Sequence, residues 1–520
     1  MSKINWKTIF VYGVLSVIFS LLIYTRFVNL GWGLPYPMHP DERNMANAVQ
    51  GLNCNFRLST LDFRNCFNPH FFAYGQFPLY VGYAAIQIFH LLTRRLGFPI
   101  SFIEAVMALR IISAIASVLT TCILLKILVQ FNIFRKKSII VYVLSSMIFI
   151  FSPVLIQFAH FGTTESLLML FYTLIIYSSL LFINKKIPIS RFLLLTFVVC
   201  GFALATKISS VVFIFIPLYL LFSRSWYKGI LYILLTCFVF AVFSPHNVIS
   251  FVEFFNSLKY ESDVATGRSI VFYTRQFRDT LPVVFQITKI FPYTLGLPVF
   301  LLGIVGFFGI SWKRKDVNLL RFAFLLVFLP NAFLYAKWVR FMAPAFPLVI
   351  IFAIVFLSKI RITRFIFYVS YFIMMIPGFA YLSIYQNPDV RFTASEWIYK
   401  NIPSGSRILS ETANVVDIPL TNNNYRLVSF NFYDLDQKTD LQQEFSYYIK
   451  KIDYIIVPSR RIFKNHSKEK YPLLNTYYKR LFSGELGFKQ VAEFTSYPTF
   501  QIVFPDENAE ETWTVFDHPV

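Results

Sequence analysis

The stretch "HFGTTESLLMLFYTLIIYSSLLFINKK", residues 160–186, shows the pattern that decides the fold of this 520-residue chain. Gly162 breaks one apolar run, Thr163 can cap a new helix, and Glu165 stands in the first turn of that helix. The apolar run 165–183 follows, and two lysines end it. A run of this length is long enough to cross the hydrocarbon core of a bilayer as a helix. We therefore predict a transmembrane helix over 165–183.

Ten further apolar runs repeat this pattern along the chain. They lie at about 8–27, 102–128, 138–158, 190–206, 208–222, 226–244, 291–310, 319–336, 341–358 and 364–385. The chain is 56% hydrophobic and only 14% charged, which is typical of a polytopic helical membrane protein. Its formal charge of +21 does not indicate nucleic-acid binding, because Lys and Arg fall between the apolar runs rather than on one polar face. We predict about eleven transmembrane helices, the first of them retained rather than cleaved as a signal peptide.

The distribution of positive charge predicts the orientation of these helices, because short cytoplasmic loops carry the excess of Lys and Arg. With a cytoplasmic amino terminus and eleven crossings, five basic clusters fall inside; they lie at 135–137, 184–191, 224–228, 313–315 and 359–364. A further apolar stretch, 77–92, would move all five clusters outside if it crossed. We therefore predict that 77–92 is re-entrant or juxtamembrane, and that the loops 30–101 and 245–290 lie outside.

The character of the sequence changes after residue 385, where the predicted transmembrane domain 1–385 ends. Strand-like and helix-like segments alternate over 386–520, which predicts a small extracytoplasmic α/β domain. In the outer loop 30–101, Cys54 and Cys66 stand where an oxidising compartment permits a disulfide. The predicted fold class is thus an α-helical polytopic membrane protein with a small α/β domain at its carboxyl end.

Two acidic helix starts are the first candidates for chemistry. Asp41 and Glu42 follow Pro40, and Glu165 follows the break at Gly162. Acidic residues suit the first turn of any helix, because the peptide dipole and the free amide groups stabilise negative charge there. The predicted topology, however, places all three carboxylates on the outer face, where one of them could accept a proton from a hydroxyl group.

The same face also receives His160, and carboxylate and histidine ligands together permit a divalent metal. The candidate ligands would be Asp41, Glu165 and His160, although their spacing matches no known metal motif. A divalent metal is the only cofactor that these residues suggest.

Cations on the outer side form the second group of candidates. Lys207 and Arg340 lie where the cytoplasmic excess of positive charge does not explain them, and together they would suit a phosphate leaving group. The alternative is that each side chain simply extends to the membrane interface. Arg110, inside the run 102–128, requires a buried partner.

The outer loop 245–290 adds a third group. Its amphipathic first half predicts a helix on the membrane surface, and His246, Glu261 and Arg268 could face the same pocket. An ordinary interfacial helix with solvated polar residues explains each of these residues equally well.

Several short motifs resemble a known group of membrane enzymes. They are the acidic pair in the first outer loop, "HFGTTE" (160–165), "GFALATK" (201–207) and "RFMAPAFP" (340–347). In this layout residues 1–385 resemble the membrane glycosyltransferases of the GT-C fold. The resemblance is to the dolichyl-phosphate-mannose protein mannosyltransferase superfamily, which includes bacterial and archaeal relatives and the aminoarabinose transferase of lipid A.

The resemblance implies a glycosyltransferase that moves a sugar from a polyprenyl-phosphate donor to an acceptor hydroxyl outside the cell, with inversion. The acceptor would be a lipid, a glycan or a protein; the long repeat domain that eukaryotic protein mannosyltransferases insert in an outer loop is missing, which puts a protein acceptor in doubt. The implied catalytic residues are Asp41, as general base, and Glu42. Glu165 and His160 would form the second acidic site, and the implied ligands of the donor phosphate are Lys207, Arg340, Arg268 and His246. In a prokaryote such an enzyme would lie in the plasma membrane, in contact with its lipids.

Two other classes of protein stay open from the sequence. A transporter or lipid flippase would account for the many helices and for Arg110 inside the membrane, although no repeat between the two halves is evident. A non-catalytic scaffold would leave the acidic pair unexplained.

Overall fold

The computed structural model describes residues 6–53, 65–131, 139–411, 418–420, 424–458, 462, 468–496 and 498. The helices of the first half of the chain, in order, are α1 (Trp6–Phe27), α2 (Pro40–Gly51), α3 (Phe77–Leu92), α4 (Phe102–Gln130), α5 (Ile139–Ile150), α6 (Pro153–Ala159), α7 (Glu165–Ile183), α8 (Ile189–Thr206), α9 (Phe215–Phe222), α10 (Trp226–Phe243), α11 (His246–Ile249) and α12 (Phe251–Thr266). A 3₁₀ segment, Ile208–Ile214, leads directly into α9.

The second half begins with two short irregular helical segments, the 3₁₀ turn Phe272–Phe277 and the π turn Gln286–Ile290. The helices that follow are α13 (Phe291–Leu295), α14 (Leu297–Gly309), α15 (Lys315–Ala332), α16 (Phe346–Leu357), α17 (Arg364–Gln386) and α18 (Val390–Asn401). A 3₁₀ segment, Val339–Ala345, joins α16 to the loop before it.

Within the described ranges, seven helices are long and apolar enough to cross a membrane, and nine if each of two bent pairs is one span. The seven are α1, α4, α7, α8, α10, α16 with its preceding 3₁₀ segment, and α17. The predicted helix over 165–183 is therefore confirmed as α7. Many of the exposed residues on these helices are large and apolar, as on α10, where Leu234 and Phe238 are more than half exposed. Such a surface is stable against lipid rather than water.

The remaining predicted spans are broken or short. Helices α5 and α6 meet at an angle of 53° before Pro153, and the run 291–310 bends by 117° at Gly296. Gly296 has φ +80°, and a Cβ there would lie 2.5 Å from Pro377, so this bend requires glycine. Segment 208–222 is a shorter apolar helix, and α15 carries charges in its first two turns. The predicted number of eleven crossings thus stays a prediction.

The apolar stretch 77–92 forms α3, which is shorter than a full span. It packs against α2 and α4 through Leu79, Ile86 and Leu109. At its carboxyl end, His90 Nε2 lies 3.1 Å from Glu104 in the first turn of α4. This packing is compatible with a re-entrant or juxtamembrane α3, which stays a prediction.

The carboxyl-terminal region contains a small parallel sheet with helices around it. Its strands are β1 (Arg407–Glu411), β2 (Arg426–Phe430) and β3 (Tyr454–Ile456), and its later helices are α19 (Thr439–Tyr448) and α20 (Pro472–Phe482). The strand order is β2-β1-β3, and β1 is parallel to both neighbours. Its aromatic core includes Phe432 stacked on Tyr477 at 4.9 Å. The predicted alternation of strands and helices is present, with α18 and the sheet following α17 directly, while a separate domain over 386–520 stays a prediction.

Candidate active site

Helix α2 places the first acidic pair. Pro40 occupies the first turn, and the Nδ1 atom of His39 accepts a hydrogen bond of 3.3 Å from the Glu42 amide. Pro at this position suits the fixed φ of a helix start, and a side-chain acceptor satisfies one of the free amide groups there. The predicted helix start is confirmed, and Asp41 and Glu42 leave its first turn in different directions.

A small cleft lies beside Asp41, and residues from distant parts of the sequence line it. Its lining residues are His39, Asp41, Gln157, Phe158, Phe161, Thr163, Glu165 and Arg340. The two acidic helix starts and one predicted phosphate ligand therefore do meet, as the topology required. Sequence reasoning missed Gln157, which accepts hydrogen bonds from the Tyr381 and Tyr385 hydroxyls of α17. A glutamine inside an apolar run was the only available signal for it.

Asp41 and Arg340 form an ion pair across this cleft. The Nη1 group of Arg340 donates to the Asp41 carboxylate, and each side chain is about one-fifth exposed, at 20% and 22%. The Arg340 guanidinium also lies over the ring of Trp338, 5.3 Å from its centroid. An arginine carries five N–H donors in a planar fork, so it can serve a carboxylate and a second anion together.

Glu165 and Lys207 form a second, more buried ion pair. The Lys207 Nζ atom lies 3.6 Å from Glu165 Oε1, and the two side chains are only 13% and 3% exposed. The same ammonium lies 4.9 Å from the centre of the Tyr74 ring, which contributes a cation–π contact. Burial, reinforced by the negative charge of Asp41, raises the pKa of Tyr74 well above its usual value, so its hydroxyl stays protonated.

Glu42 does not face the cleft as its neighbour does. Arg110 donates a hydrogen bond of 2.7 Å to each of the two Glu42 carboxylate oxygens. The Gly162 amide donates to Glu42 Oε1 at 2.6 Å. The remaining Nη1 group of Arg110 donates to the carbonyls of Leu30 and Trp32, both at 2.7 Å. The buried partner required by Arg110 is therefore Glu42, and this carboxylate is fully engaged in holding four chain segments together.

Gly162 connects the two acidic sites. A Cβ at this position would lie 2.5 Å from the Cβ of Leu109 and 3.2 Å from Glu42 Oε1. Only glycine lets the turn approach α4 closely enough for its amide to reach Glu42. The break that the sequence showed at Gly162 is thus a packing requirement, and it sets the start of α7 at Glu165.

His39 and Glu261 complete the surroundings of the cleft. Burial, together with the positive charges of Arg340 and Arg110, lowers the pKa of His39 well below its usual value, so its ring is neutral at pH 7. Partial burial also raises the pKa of Glu261 in α12, against the opposite effect of the nearby Arg340 and Lys207 charges. Glu261 is thus within electrostatic range of Arg340 and Lys207, but it is not among the side chains that line the cleft.

Three predicted site residues lie elsewhere. Both ring nitrogens of His160 face backbone carbonyls, of Ile156 at 2.8 Å and Val28 at 2.9 Å, and its ring stacks on Tyr385. His246 Nε2 lies 2.9 Å from the carbonyl of Cys66. Arg268 is 79% exposed and pairs with Asp263 at 3.7 Å.

None of these three side chains is among those lining the cleft, and neither are those of Glu42 and Lys207, although Lys207 adjoins the cleft through its ion pair with Glu165. The three side chains make local contacts instead: the two histidine rings contact backbone carbonyl groups, and Arg268 pairs with Asp263 of α12. The sequence pattern could not give the direction of each side chain.

The described residues do not form the metal site that the residue types permitted. No group of three or more His, Cys, Asp or Glu side chains in the described ranges could hold a metal ion. His160 turns to the backbone, and the cations Arg340 and Lys207 already pair with Asp41 and Glu165. The described residues therefore do not fit a divalent metal.

Comparison with known proteins identifies the fold. Residues 82–249 match the family model described as dolichyl-phosphate-mannose-protein mannosyltransferase. The chain superimposes on ArnT from Cupriavidus metallidurans bound to undecaprenyl phosphate with a TM-score of 0.51 and 12% identity, over 87% of this chain and 90% of that one. This chain has the GT-C fold. The predicted resemblance to the GT-C glycosyltransferases is thereby confirmed, and so is a multi-pass integral membrane protein.

Two further structures resemble this GT-C chain less. The apo state of the same ArnT gives a TM-score of 0.49 at 12% identity, over 91% of this chain and 95% of that one. The Archaeoglobus fulgidus oligosaccharyltransferase in complex with Zn and sulfate gives 0.45 at 12% identity, over 76% and 60% of the two chains. No curated protein matches the chain in sequence.

Proposed function

We propose that this protein is a glycosyltransferase that moves a sugar from a polyprenyl-phosphate donor to an acceptor hydroxyl. The observation that carries the proposal is the pairing of Asp41 with Arg340, in one cleft with Glu165, inside a GT-C membrane fold. This cleft supplies a carboxylate for the acceptor and a cation, Arg340, for a departing phosphate, and Lys207 adjoins it through Glu165. The ArnT structure with the same fold is bound to undecaprenyl phosphate, which supports a lipid-phosphate donor.

Asp41 acts as general base in this proposal. The acceptor oxygen attacks the anomeric carbon from the face opposite the phosphate, and its proton passes to the Asp41 carboxylate. The bond between the anomeric carbon and the phosphate oxygen breaks, and its electron pair leaves with the polyprenyl phosphate. One such displacement inverts the anomeric carbon, and a positioned base of this kind contributes ~10²–10⁴-fold to the rate.

Arg340 and Lys207 stabilise the phosphate that leaves. The phosphate gains negative charge as the bond to the sugar breaks, so fixed cations act most strongly in the transition state. In the resting cleft these cations balance Asp41 and Glu165. With a donor bound, the Arg340 guanidinium would contact both the Asp41 carboxylate and the donor phosphate. One side chain would then position both the base and the leaving group.

Glu42 is a positioning residue in this account rather than a second base. Arg110 and the Gly162 amide occupy both of its oxygens, so neither is placed to take a proton from an acceptor. Its contacts instead fix the helix start from which Asp41 extends. The acidic pair therefore divides into one chemical and one structural member.

Orientation follows from the same proposal. We infer that the amino terminus is cytoplasmic and that the cleft and the carboxyl-terminal domain are extracytoplasmic. Cys66 in the outer loop is disulfide-bonded, which favours an oxidising compartment; its predicted partner Cys54 lies outside the described residues, as does the basic cluster 135–137. A reporter fused after Val520 should be extracytoplasmic, and a cytoplasmic signal would overturn the orientation.

A transfer assay tests the function itself. The purified protein in liposomes receives polyprenyl-phosphate donors that carry different labelled sugars, with a lipid extract and free glycans as acceptors. The proposal expects Asp41-dependent formation of a labelled product and of free polyprenyl phosphate. Movement of intact donor across the bilayer without any transfer would favour the transporter alternative, to which the comparisons give no support.

A further inference from the structure

The carboxyl-terminal domain is attached to the outer loop at one buried arginine. Arg275, in the 3₁₀ turn Phe272–Phe277, donates to the carbonyl of Tyr433 and, at 3.0 Å, to the carboxylate of Asp434. The Arg275 side chain is 13% exposed, and its guanidinium lies 5.7 Å from the centre of the Tyr471 ring. The Arg275 and Lys438 hydrogen bonds outweigh partial burial and lower the pKa of Asp434, so this pair is ionised at neutral pH.

The turn that carries Arg275 is shared between the domain and the membrane bundle. On one side, Phe272 packs into the aromatic core of the domain, 4.7 Å from the Tyr433 ring. On the other side, Phe277 meets the ring of Trp338 edge to face at 4.8 Å, and Tyr273 lies 6.5 Å from the same ring. Trp338 in turn lies against the guanidinium of Arg340.

Helix α12 contacts both the loop before Arg340 and the turn 272–277. The Ala336 amide donates to the Ala265 carbonyl at 3.1 Å, and the Tyr260 hydroxyl lies 3.5 Å from that of Tyr273. The segment before Arg340 therefore rests on two supports, and one of them, the turn of Arg275, also contacts the carboxyl-terminal domain.

We propose that Arg275 is a positioning residue for sugar transfer: by fixing the turn 272–277 to the carboxyl-terminal domain, it holds Trp338, and through it Arg340, where the donor phosphate leaves. The inference rests on the proposed function for its chemistry. It gives the domain a role in catalysis although none of its described residues lines the cleft. The carboxyl-terminal domain acts as a rigid support for the leaving-group site.

The test compares Arg275→Ala with a matched control at the same interface, Lys470→Ala. Lys470 pairs with Asp279 at 3.3 Å, but both side chains are exposed, at 44% and 78%, and neither touches Trp338 in the described contacts. Misplacing a catalytic group by about 1 Å can cost ~10²-fold. We therefore expect Arg275→Ala to lower kcat by about 10- to 100-fold, and Lys470→Ala to leave it within about twofold, as exposed ion pairs contribute little.

A donor in which sulfur replaces one non-bridging phosphate oxygen separates positioning from a merely structural role. Sulfur weakens the contact with Arg340, so the oxygen donor should react faster than the sulfur donor with wild-type protein. Arg275→Ala should reduce this ratio towards the value found for Arg340→Ala. A general loss of folded protein would slow both donors equally, and an unchanged ratio would overturn the inference.

Hydrogen exchange provides a readout that needs no transfer. Arg275→Ala should raise amide exchange in peptides spanning 335–341, whereas Lys470→Ala should not. Unchanged exchange there would overturn the positioning role even in an active enzyme. If instead wild type transfers no sugar but the exchange responds as expected, the proposed function fails and the physical coupling stands. If Arg275→Ala does not fold, Asp434→Asn replaces it, because this variant keeps the Arg275 contact with the Tyr433 carbonyl. Asp434→Asn should give smaller changes in the same directions. If it changes neither the donor ratio nor the exchange, the inference is contradicted.

Discussion

Arg340 donates a hydrogen bond to the carboxylate of Asp41, a residue 299 positions earlier in the chain. The pair joins the first turn of α2 to the segment before α16, and it sets the proposed base beside the proposed phosphate ligand. Neither residue is explained by the distribution of charge that orients the membrane helices. Their contact is the most specific feature of the cleft, and its two members make different predictions.

Arg340→Ala should leave the fold intact and remove most of the transfer activity. Loss of one donor that stabilises developing negative charge costs about 10²–10³-fold in kcat in well-studied enzymes. Turnover of a labelled donor by the purified variant measures the effect. Arg224→Ala, which removes an exposed arginine after α9, is the matched control and should keep wild-type turnover. Full activity of Arg340→Ala would remove it from the mechanism.

Glu42→Gln should act on stability. The substitution leaves Arg110, which is 2% exposed, without the carboxylate that balances its charge. Breaking one side of a buried ion pair typically costs about 3–5 kcal/mol. Thermal unfolding in detergent should show a clearly lower Tm for Glu42→Gln than for Asp41→Asn, whose side chain is partly exposed. Equal Tm values would contradict the structural role of Glu42.

Lys207→Met tests whether the second cation binds the donor. The variant leaves Glu165 buried without a counter-charge, so both the Tm and the affinity for donor should fall, with the donor KM rising by about tenfold for the loss of one phosphate contact. The double variant Lys207→Met, Glu165→Gln should recover the Tm, because no unpaired charge remains. Its donor KM should stay high, and a KM at the wild-type level in the double variant would show that Lys207 serves only Glu165.

The sequence indicated which groups lie near the active site better than it indicated which of them contact each other. Asp41, Glu165 and Arg340 were expected on one face from the predicted crossings, and the structure brings them to one cleft, while the number of crossings itself stays a prediction. The pairing of Glu42 with Arg110 carried no signal, since it depends on how α2 lies against α4. His160 was expected in the cleft, but two backbone carbonyls hold its ring.

The irregular helices show a similar division. The runs 138–158 and 291–310 were each predicted as one span, but the structure bends them by 53° before Pro153 and by 117° at Gly296, where Pro377 packs against the glycine. The contact of Arg275 with Asp434 joins residues 159 positions apart, in parts of the chain whose patterns are unrelated. Only the folded chain brings these two residues together.

Glu411 predicts a pH dependence of stability that is separate from catalysis. This residue ends β1 in the core of the carboxyl-terminal domain, where it accepts a hydrogen bond from Tyr478, and burial raises its pKa to about 8. The folded domain therefore holds a proton that the unfolded chain releases near its ordinary pKa of about 4.3. Stability from this group is fully present below that value and is lost as the pH rises to about 8.

Unfolding of the full chain at pH 5 and pH 8.5 measures this effect. The wild type should lose stability between these values relative to Glu411→Gln, which is neutral at both and keeps an acceptor for Tyr478. Parallel behaviour of the two proteins would contradict a protonated Glu411. Comparison with the variant cancels the contributions of the other titrating groups.

The central claim is that the Asp41 carboxylate accepts the acceptor's proton during sugar transfer. The direct measurement is the turnover of a labelled polyprenyl-phosphate sugar by purified Asp41→Asn, with Asp279→Asn, which alters an exposed carboxylate outside the cleft, as control. We predict that Asp41→Asn keeps the wild-type Tm within a few degrees but loses at least ~10²-fold in kcat, while Asp279→Asn keeps full activity. Transfer by Asp41→Asn at a rate near that of wild type would contradict the account.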